Sequence, residues 1–282
     1  MKLDILISGL ILVAAFYVIF FIGKVVYDLL HRKFNLNVEL VEKDNDALAL
    51  ALAGYYMGLI LAIGGTLAGP GDGGVWEDLA DLAVYGPLGI VLLNLSGFVC
   101  DKLILHKFCM TEELIRDRNA GTGSVAAGVS VASGFIIFGA VQGQGGNIWT
   151  VMAFWAIGQI MLILAGKIYN LITPYDLHDE IEKDNVAAGV SFAGALIAMG
   201  MVVGLAGESD FESFGQSLPD YLFYAVLGLV LLPLIRLLTD KILLPAVKLS
   251  HEIAGQEKPN VGAAYIEAFS YIAGALIIYW CV

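Results

Sequence analysis

Hydrophobic positions along the chain form eight long runs that are separated by short polar stretches. Each run has about 20 or more mainly apolar residues, enough to cross a hydrocarbon core of ~30 Å at a helical rise of about 1.5 Å per residue. The pattern predicts eight membrane-spanning helices near residues 5–30, 47–68, 79–105, 120–141, 149–172, 186–206, 219–244 and 261–281. A short alternation of apolar and polar residues over 34–40 predicts one strand or an interfacial segment.

The polar stretches contain an internal repeat. The tetrapeptide Glu-Lys-Asp-Asn occurs at residues 42–45 and again at residues 182–185, and each copy precedes a run rich in small residues. Four Asn open the even-numbered helices: Asn45, Asn119, Asn185 and Asn260. We therefore expect an all-α membrane protein of four helical hairpins in an A-B-A′-B′ duplication. Small residues favour close helix packing in membranes, so we expect the even helices at the centre and the Leu- and Ile-rich odd helices towards lipid.

The repeat also predicts two four-helix units. The first is residues 1–145, with hairpins 1–70 and 79–141, and the second is residues 146–282, with hairpins 148–207 and 219–282. Because every repeat contains two spans, all four hairpins should cross the membrane in the same orientation. This is a parallel repeat rather than an inverted one.

Composition and charge narrow the class of protein. The chain is 59% hydrophobic and 15% charged, which is far more apolar than soluble domains, so the lipid bilayer is its expected surrounding. A net charge of −12 without a basic stripe excludes nucleic acid as a partner. Fourteen of the fifteen Lys and Arg lie at or in the loops within hairpins, and Lys2 is the exception. The positive-inside rule then predicts a multi-pass bacterial inner-membrane protein with both termini on the periplasmic, outer side.

The helix starts resemble those of a known family. Residues 44–47 and 184–187 each have a polar residue, Asn, a variable residue and Ala, followed by small residues, whereas 118–120 fit less well and 259–262 have Gly in place of Ala. This pattern is similar to that of the YjfL-like bacterial inner-membrane proteins, a family named for its unknown function. The resemblance covers nearly the whole chain. It implies an inner-membrane repeat protein and transfers no catalytic or ligand residue.

The four Asn helix starts allow two interpretations. Asn is a favoured N-cap residue, because its side-chain oxygen accepts a hydrogen bond from a free backbone N–H of the first turn. Alternatively, four such side chains around a pseudo-fourfold axis could line a vestibule in which helix N-termini meet ions or solutes.

Glu267 is the acidic residue that lies well inside a predicted span, seven residues after Asn260. A carboxylate at that depth costs a few kcal/mol on insertion scales and normally faces a partner within the protein. One interpretation is a structural ion pair with Arg236, Lys24 or Lys167, which are all expected near the same level. The other is a cation or proton site formed by these residues.

Two amides, Asn94 and Gln159, lie near the middle of their spans, where each needs an interhelical partner.

No nucleophile motif, phosphate-binding loop or metal-ligand cluster is present in the sequence, so we expect no enzyme, cofactor or metal. The four His lie in the loops within hairpins and are expected to be solvated. We expect permeation or transport of an ion or small solute, by a chain whose protein partner is a second copy of itself or a cytosolic protein. The alternative is a membrane scaffold or membrane-stress component that recruits a cytosolic protein through its loops.

Overall fold

The computed structural model describes residues 2–69 and 74–281, and these residues contain eight long helices. We number them α1 (Lys2–Leu30), α2 (Asp46–Ala68), α3 (Val75–Val99), α4 (Ala120–Gln142), α5 (Ile148–Ile172), α6 (Val186–Gly207), α7 (Phe214–Leu238) and α8 (Val261–Cys281). Each is long and apolar enough to cross a membrane, which confirms the eight predicted spans. The predicted boundaries at residues 1, 70 and 282 lie outside the described residues.

Short helical turns fill the loops that join the two helices of each hairpin. We call these loops the hairpin loops: residues 31–45, 105–119, 173–185 and 244–260. Several helices run into or out of these loops through π-helical turns, at Val38–Glu42, Cys100–Ile104, Glu113–Asp117 and Thr239–Leu243. The alternation at 34–40 is therefore part of an irregular helical segment, and the described ranges contain no strand. The remaining short helices are Met110–Glu112, Leu177–Glu182 and Leu249–Ala254.

The even-numbered helices pack side by side in chain order. The most extensive helix contacts in the molecule join α2 to α4, α4 to α6 and α6 to α8. Among the described residues, α2 and α8 have no comparable contact with each other. The four helices therefore form an open row, which we call the even row. It has two free edges and does not enclose an axis.

The odd-numbered helices form a second row against one face of the first. Helix α3 contacts α1 and α5, and α5 contacts α7, while α3, α5 and α7 each pack against two even helices. The second row is more exposed and carries large apolar side chains on its surface, such as Val91, Phe98 and Val226. The small-residue helices thus form one layer and the Leu- and Ile-rich helices form the other, with α4 and α6 the most buried of the eight.

Glycine and alanine let the even helices approach closely. At Gly128 on α4, a Cβ atom would lie 2.7 Å from the Cα atom of Ala193 on α6. At Gly58 on α2, it would lie 3.0 Å from the carbonyl carbon of Ser130 on α4 and closer still to the carbonyl oxygen of that residue. Real Cβ atoms almost never come this close to backbone, so these positions require glycine as long as the helices keep their spacing. The small-residue pattern in the sequence is therefore the cause of the tight row.

Candidate functional site

A buried ion pair joins the last two helices. Glu267 on α8 has no exposed surface, and its Oε1 atom accepts a hydrogen bond from Nη1 of Arg236 on α7. Arg236 is itself 8% exposed. Of the three cations considered from the sequence, the structure brings Arg236 to Glu267. Lys24 instead pairs with Asp28 on its own helix, and Lys167 is exposed on α5.

Three hydroxyl groups surround this pair. Tyr271, one turn after the acid, donates a hydrogen bond to Glu267 Oε1 at 3.2 Å. On the other side, Arg236 donates to the hydroxyl of Tyr169 on α5 and to Oγ of Ser250, both at 3.3 Å. The guanidinium also lies over the Tyr169 ring, 5.5 Å from its centroid. The positive charge is thus held by three different elements of the second half of the chain.

The second carboxylate oxygen has a weaker environment. Glu267 Oε2 is buried beside Ser191 on α6, yet neither this oxygen nor Ser191 Oγ has a well-formed hydrogen bond. A buried polar atom without such a bond costs free energy, about 1–3 kcal/mol for a neutral group and more for a charged one. We call Glu267, Arg236, Tyr169, Tyr271 and Ser191 the polar cluster. The Oε2 side of its carboxylate faces the Ser191 hydroxyl rather than the Arg236 guanidinium.

The four Asn helix starts all act as N-caps. Their Oδ1 atoms accept hydrogen bonds from the backbone N–H groups of Leu48, Thr122, Ala188 and Ala263, at 3.0, 2.8, 3.1 and 3.2 Å. In the first three hairpins the residue before the Asn has a positive φ: Asp44, Arg118 and Asp184. Pro259 occupies this position in the fourth hairpin, and a proline ring does not permit positive φ.

Each capping Asn also binds a glutamate from its own hairpin loop. The Asn side-chain amide donates to the Glu carboxylate, and the Asn backbone N–H donates to the carbonyl oxygen of the same Glu. The pairs are Asn45 with Glu39, Asn119 with Glu113, Asn185 with Glu180 and Asn260 with Glu252. The pKa values of two of these loop glutamates are shifted in opposite directions. The Lys43 ammonium holds the pKa of Glu39 below its usual range, whereas burial raises the pKa of Glu113.

The first three Asn also tie each hairpin to the next one. Their Nδ2 atoms donate to the carbonyl oxygens of Leu114, Ile181 and Ile253, at 2.8, 2.6 and 2.8 Å. These Asn are almost fully buried, whereas Asn260, which has no link to another hairpin among the described residues, is exposed. The four Asn lie along the even row rather than around an axis, because the row is open. The geometry therefore gives a chain of hairpin-to-hairpin links in place of the vestibule considered from the sequence.

Both intramembrane amides make hydrogen bonds between helices. Asn94 on α3 donates to the hydroxyl of Tyr55 on α2 at 3.0 Å and to the carbonyl oxygen of Ile90 at 2.7 Å. Gln159 on α5 donates to Oγ of Ser133 on α4 at 3.2 Å. These contacts join the odd row to the even row in the first three hairpins. They lie outside the polar cluster.

Sequence reasoning missed several members of these sites. The Glu partners of the capping Asn precede them by six, six, five and eight residues, so no fixed spacing marks them. Tyr169 looks like an ordinary apolar position in the sequence. Tyr271 is different, because helical spacing places it on the face of Glu267, one turn after the acid. His178 was expected to be solvated, but its ring is buried and its Nε2 atom lies 2.7 Å from the carbonyl oxygen of Ile104.

Comparisons with known proteins agree with the repeat. The family model described as Domain of Unknown Function (DUF350) matches the chain twice, over residues 1–141 and 145–282. The chain is 26% identical over 273 residues to the UPF0719 transmembrane protein of Aquifex aeolicus (strain VF5), which covers 94% of this chain and 96% of that protein. No solved structure matches the chain. Two family matches in succession fit the internal duplication, and the transmembrane relative fits the eight spans.

Proposed function

Since the chain belongs to the DUF350 family and is a multi-pass membrane protein, we propose that it moves a proton or small cation through its polar cluster. The observation that carries this proposal is a fully buried carboxylate inside a membrane helix with one poorly satisfied oxygen. Ionisable groups at such depth are rare and are commonly part of ion or proton pathways. We further propose a bacterial inner-membrane location and kinship with the YjfL-like proteins, as the sequence resemblance implies.

The cluster offers a simple way to couple binding to movement. The ion pair is a direct link between α7 and α8. A proton or cation on Glu267 would neutralise the carboxylate and so weaken its attraction for Arg236. The guanidinium would keep its contacts with Tyr169 and Ser250, which lie on other elements. Binding of a proton or cation to Glu267 would therefore weaken the contact between α7 and α8, while Arg236 would still have two hydrogen-bond partners.

A scaffold that recruits a cytosolic protein is the second candidate. It is favoured by the open even row, which encloses no central channel, and by the ordered helical turns of the hairpin loops. In this case the ion pair would serve to fix α8 against α7, and no solute would cross.

Flux measurements on the purified chain in liposomes separate the two candidates. An entrapped pH-sensitive dye reports proton movement, and potassium and sodium gradients test the common cations. We expect wild-type flux and its loss in Glu267→Gln, because this change keeps shape and hydrogen bonding while removing charge. Glu113→Gln is a matched control, since it neutralises a buried Glu in a hairpin loop outside the cluster.

The stability of the same variants decides the role of the pair. A folded Glu267→Gln protein without flux supports transport. A Glu267→Gln protein that unfolds, and that regains stability when Arg236 is also neutralised by Arg236→Gln, identifies a structural pair. Wild-type protein that conducts none of the tested ions favours the scaffold.

A further inference from the structure

The first half of the chain contains a cavity of about 580 Å³ near the hairpin-loop end of its helices. It lies between α1, α3 and the first two even helices, and its floor is formed by the loop segment around Met110. Its volume is within the range of about 300–1,000 Å³ that is typical of small-molecule sites. The proposed transport function makes no use of it.

The internal repeat explains why the cavity exists. Ala126 and Glu267 are each seven residues after their capping Asn, and Gly97 and Arg236 are each four residues before an Asp. Those two residues, Asp101 and Asp240, both accept a hydrogen bond from the backbone N–H that starts the next loop helix, at 2.9 and 2.8 Å. Ala126 in the first half therefore corresponds to Glu267 in the second, and Gly97 corresponds to Arg236.

The cavity thus occupies the place that the polar cluster fills in the second half. Ala51 and Thr111 line it where the second half has Ser191 and Ser250, and Ala126 and Gly97 line it where the second half has the ion pair. The cavity is open because Ala126 and Gly97, on its two opposite walls, both have much smaller side chains than Glu267 and Arg236.

The walls and the mouth identify the chemistry of an occupant. The inner wall includes Leu93 and Val129, which are 2% and 1% exposed. The rim on α1 and α3 includes Leu30, Leu95 and Phe98, which are exposed large apolar side chains on the surface that faces the bilayer. A cavity with apolar walls that opens between two outer helices is accessible from the hydrocarbon core and not only from water.

The charged and titratable groups His31 and Asp101 line the cavity at its loop end, together with Thr111. His31 is half-buried there and stacks on Tyr27 with ring centroids 4.0 Å apart. Tyr55, Asn94 and Ser130 line the deeper part, but each donates its hydrogen bonds to acceptors within the protein. The charge therefore lies at the loop end and the deeper part has no free donor, which matches an amphiphile whose chain enters sideways. We propose that the cavity binds one acyl chain of a membrane lipid between α1 and α3.

Photo-crosslinking in vesicles tests this proposal. The full chain would be reconstituted in phosphatidylethanolamine and phosphatidylglycerol containing a trace of phospholipid with a diazirine in the middle of one acyl chain. After irradiation, mass spectrometry locates the adducts. We expect adducts on Leu93 or Val129, which bulk lipid does not reach, in addition to adducts on surface residues such as Phe223 of α7.

Filling the cavity should remove the inner adducts alone. Ala126→Phe places a ring in the cavity, and Ala53→Phe, at an exposed position of α2, is the matched control. Thr111→Phe, at the loop-end wall, fills the space from the other side if Ala126→Phe fails to accumulate. Adducts on Phe223 without any on Leu93 or Val129 in the wild type would overturn the proposal. Inner adducts that persist in the filled variants would overturn it equally.

Discussion

Asparagine opens every even helix because one side chain has to accept and donate at the same time. Its oxygen caps its own helix, while its amide nitrogen binds a loop glutamate and, in three hairpins, a carbonyl oxygen of the next hairpin. Asp could supply the cap but not the donor, and Ser has no second donor hydrogen. The residue type is therefore set by the link between hairpins as much as by the helix start.

Asn119→Ala should lower the free energy of unfolding by about 2 kcal/mol or more, because it removes a cap and leaves the Ile181 carbonyl without its buried donor. Asn260→Ala should cost only about 1 kcal/mol, since that Asn is exposed and caps without a link to another hairpin. Thermal unfolding in detergent measures both. Equal losses in the two variants would show that the link contributes nothing.

His178 gives one hairpin loop a dependence on pH. Burial lowers the pKa of His178 below its usual value, so the folded protein keeps the ring neutral when an unfolded chain would already take up a proton. Its contribution to stability is present above about pH 6.5, the ordinary pKa of His, and is lost as the pH falls further towards the folded pKa.

His178→Gln should therefore flatten the loss of thermal stability between about pH 7.5 and pH 5, because glutamine can still donate to Ile104 but does not titrate. His251→Gln, at an exposed position in another hairpin loop, should leave the pH profile unchanged. Melting temperatures across this pH range provide the test. A variant profile as steep as that of the wild type would assign the pH dependence to other groups.

At the scale of the helix, one repeated position shows how the row is built and where it stops. The residues nine after the first three capping Asn are Gly54, Gly128 and Gly194, and each packs against the next even helix. The equivalent residue on α8 is Phe269, which is 62% exposed. Among the described residues no further helix packs on this side of α8, so a large side chain is allowed there. The divergence of the last hairpin is therefore that of a terminal repeat.

Gly194→Leu should destabilise the protein by about 1–3 kcal/mol, the usual cost of overpacking. A Cβ atom there would lie 3.1 Å from the carbonyl carbon of Ala268 and closer still to its Cα atom, so α8 would have to move away from α6. Gly9→Leu on α1 is the control, because a Cβ atom at Gly9 meets nothing within 4 Å. Unfolding in detergent should separate the two variants clearly. A wild-type melting temperature for Gly194→Leu would mean that the row tolerates wider spacing.

The sequence was sufficient to predict the helices and their pairing into hairpins, but not how the four even helices pack together. Hydrophobic runs and the repeated Asn define eight spans and four hairpins, because both depend on local composition. Whether four small-residue helices form a ring or a row depends on which faces meet, and Gly and Ala favour close contact in either case. The ion partner of Glu267 also depends on which helix faces meet. Arg236, Lys24 and Lys167 have similar predicted depths, and only the packing of α7 against α8 selects Arg236.

For the whole molecule, most of the positive charge and three of the four Trp lie at opposite ends. The hairpin loops carry most of the Lys and Arg, while Trp76, Trp149 and Trp280 lie at the other end, each at least 74% exposed. Indole rings prefer the membrane interface, and Lys and Arg of short loops prefer the cytoplasmic side.

In a chain without other cysteines, Ser209→Cys should react with an impermeant thiol reagent added to intact cells, whereas Lys248→Cys should react only after the membrane is permeabilised. Ser209 lies between α6 and α7, and Lys248 lies in the last hairpin loop. Labelling of purified, unfolded protein confirms that both thiols are reactive. The reverse pattern in cells would invert the orientation proposed here.

The direction of the hairpin-to-hairpin links bears on how the chain is assembled during synthesis. Each buried amide finds its carbonyl acceptor 62 to 69 residues later in the chain, always in the hairpin that follows. In a newly inserted hairpin, the side-chain amide of the capping Asn therefore lacks this carbonyl acceptor until the next hairpin has been synthesised. This order of donors and acceptors predicts assembly from the first hairpin to the fourth. Asn260 makes no such link in the part of the chain that the structure describes.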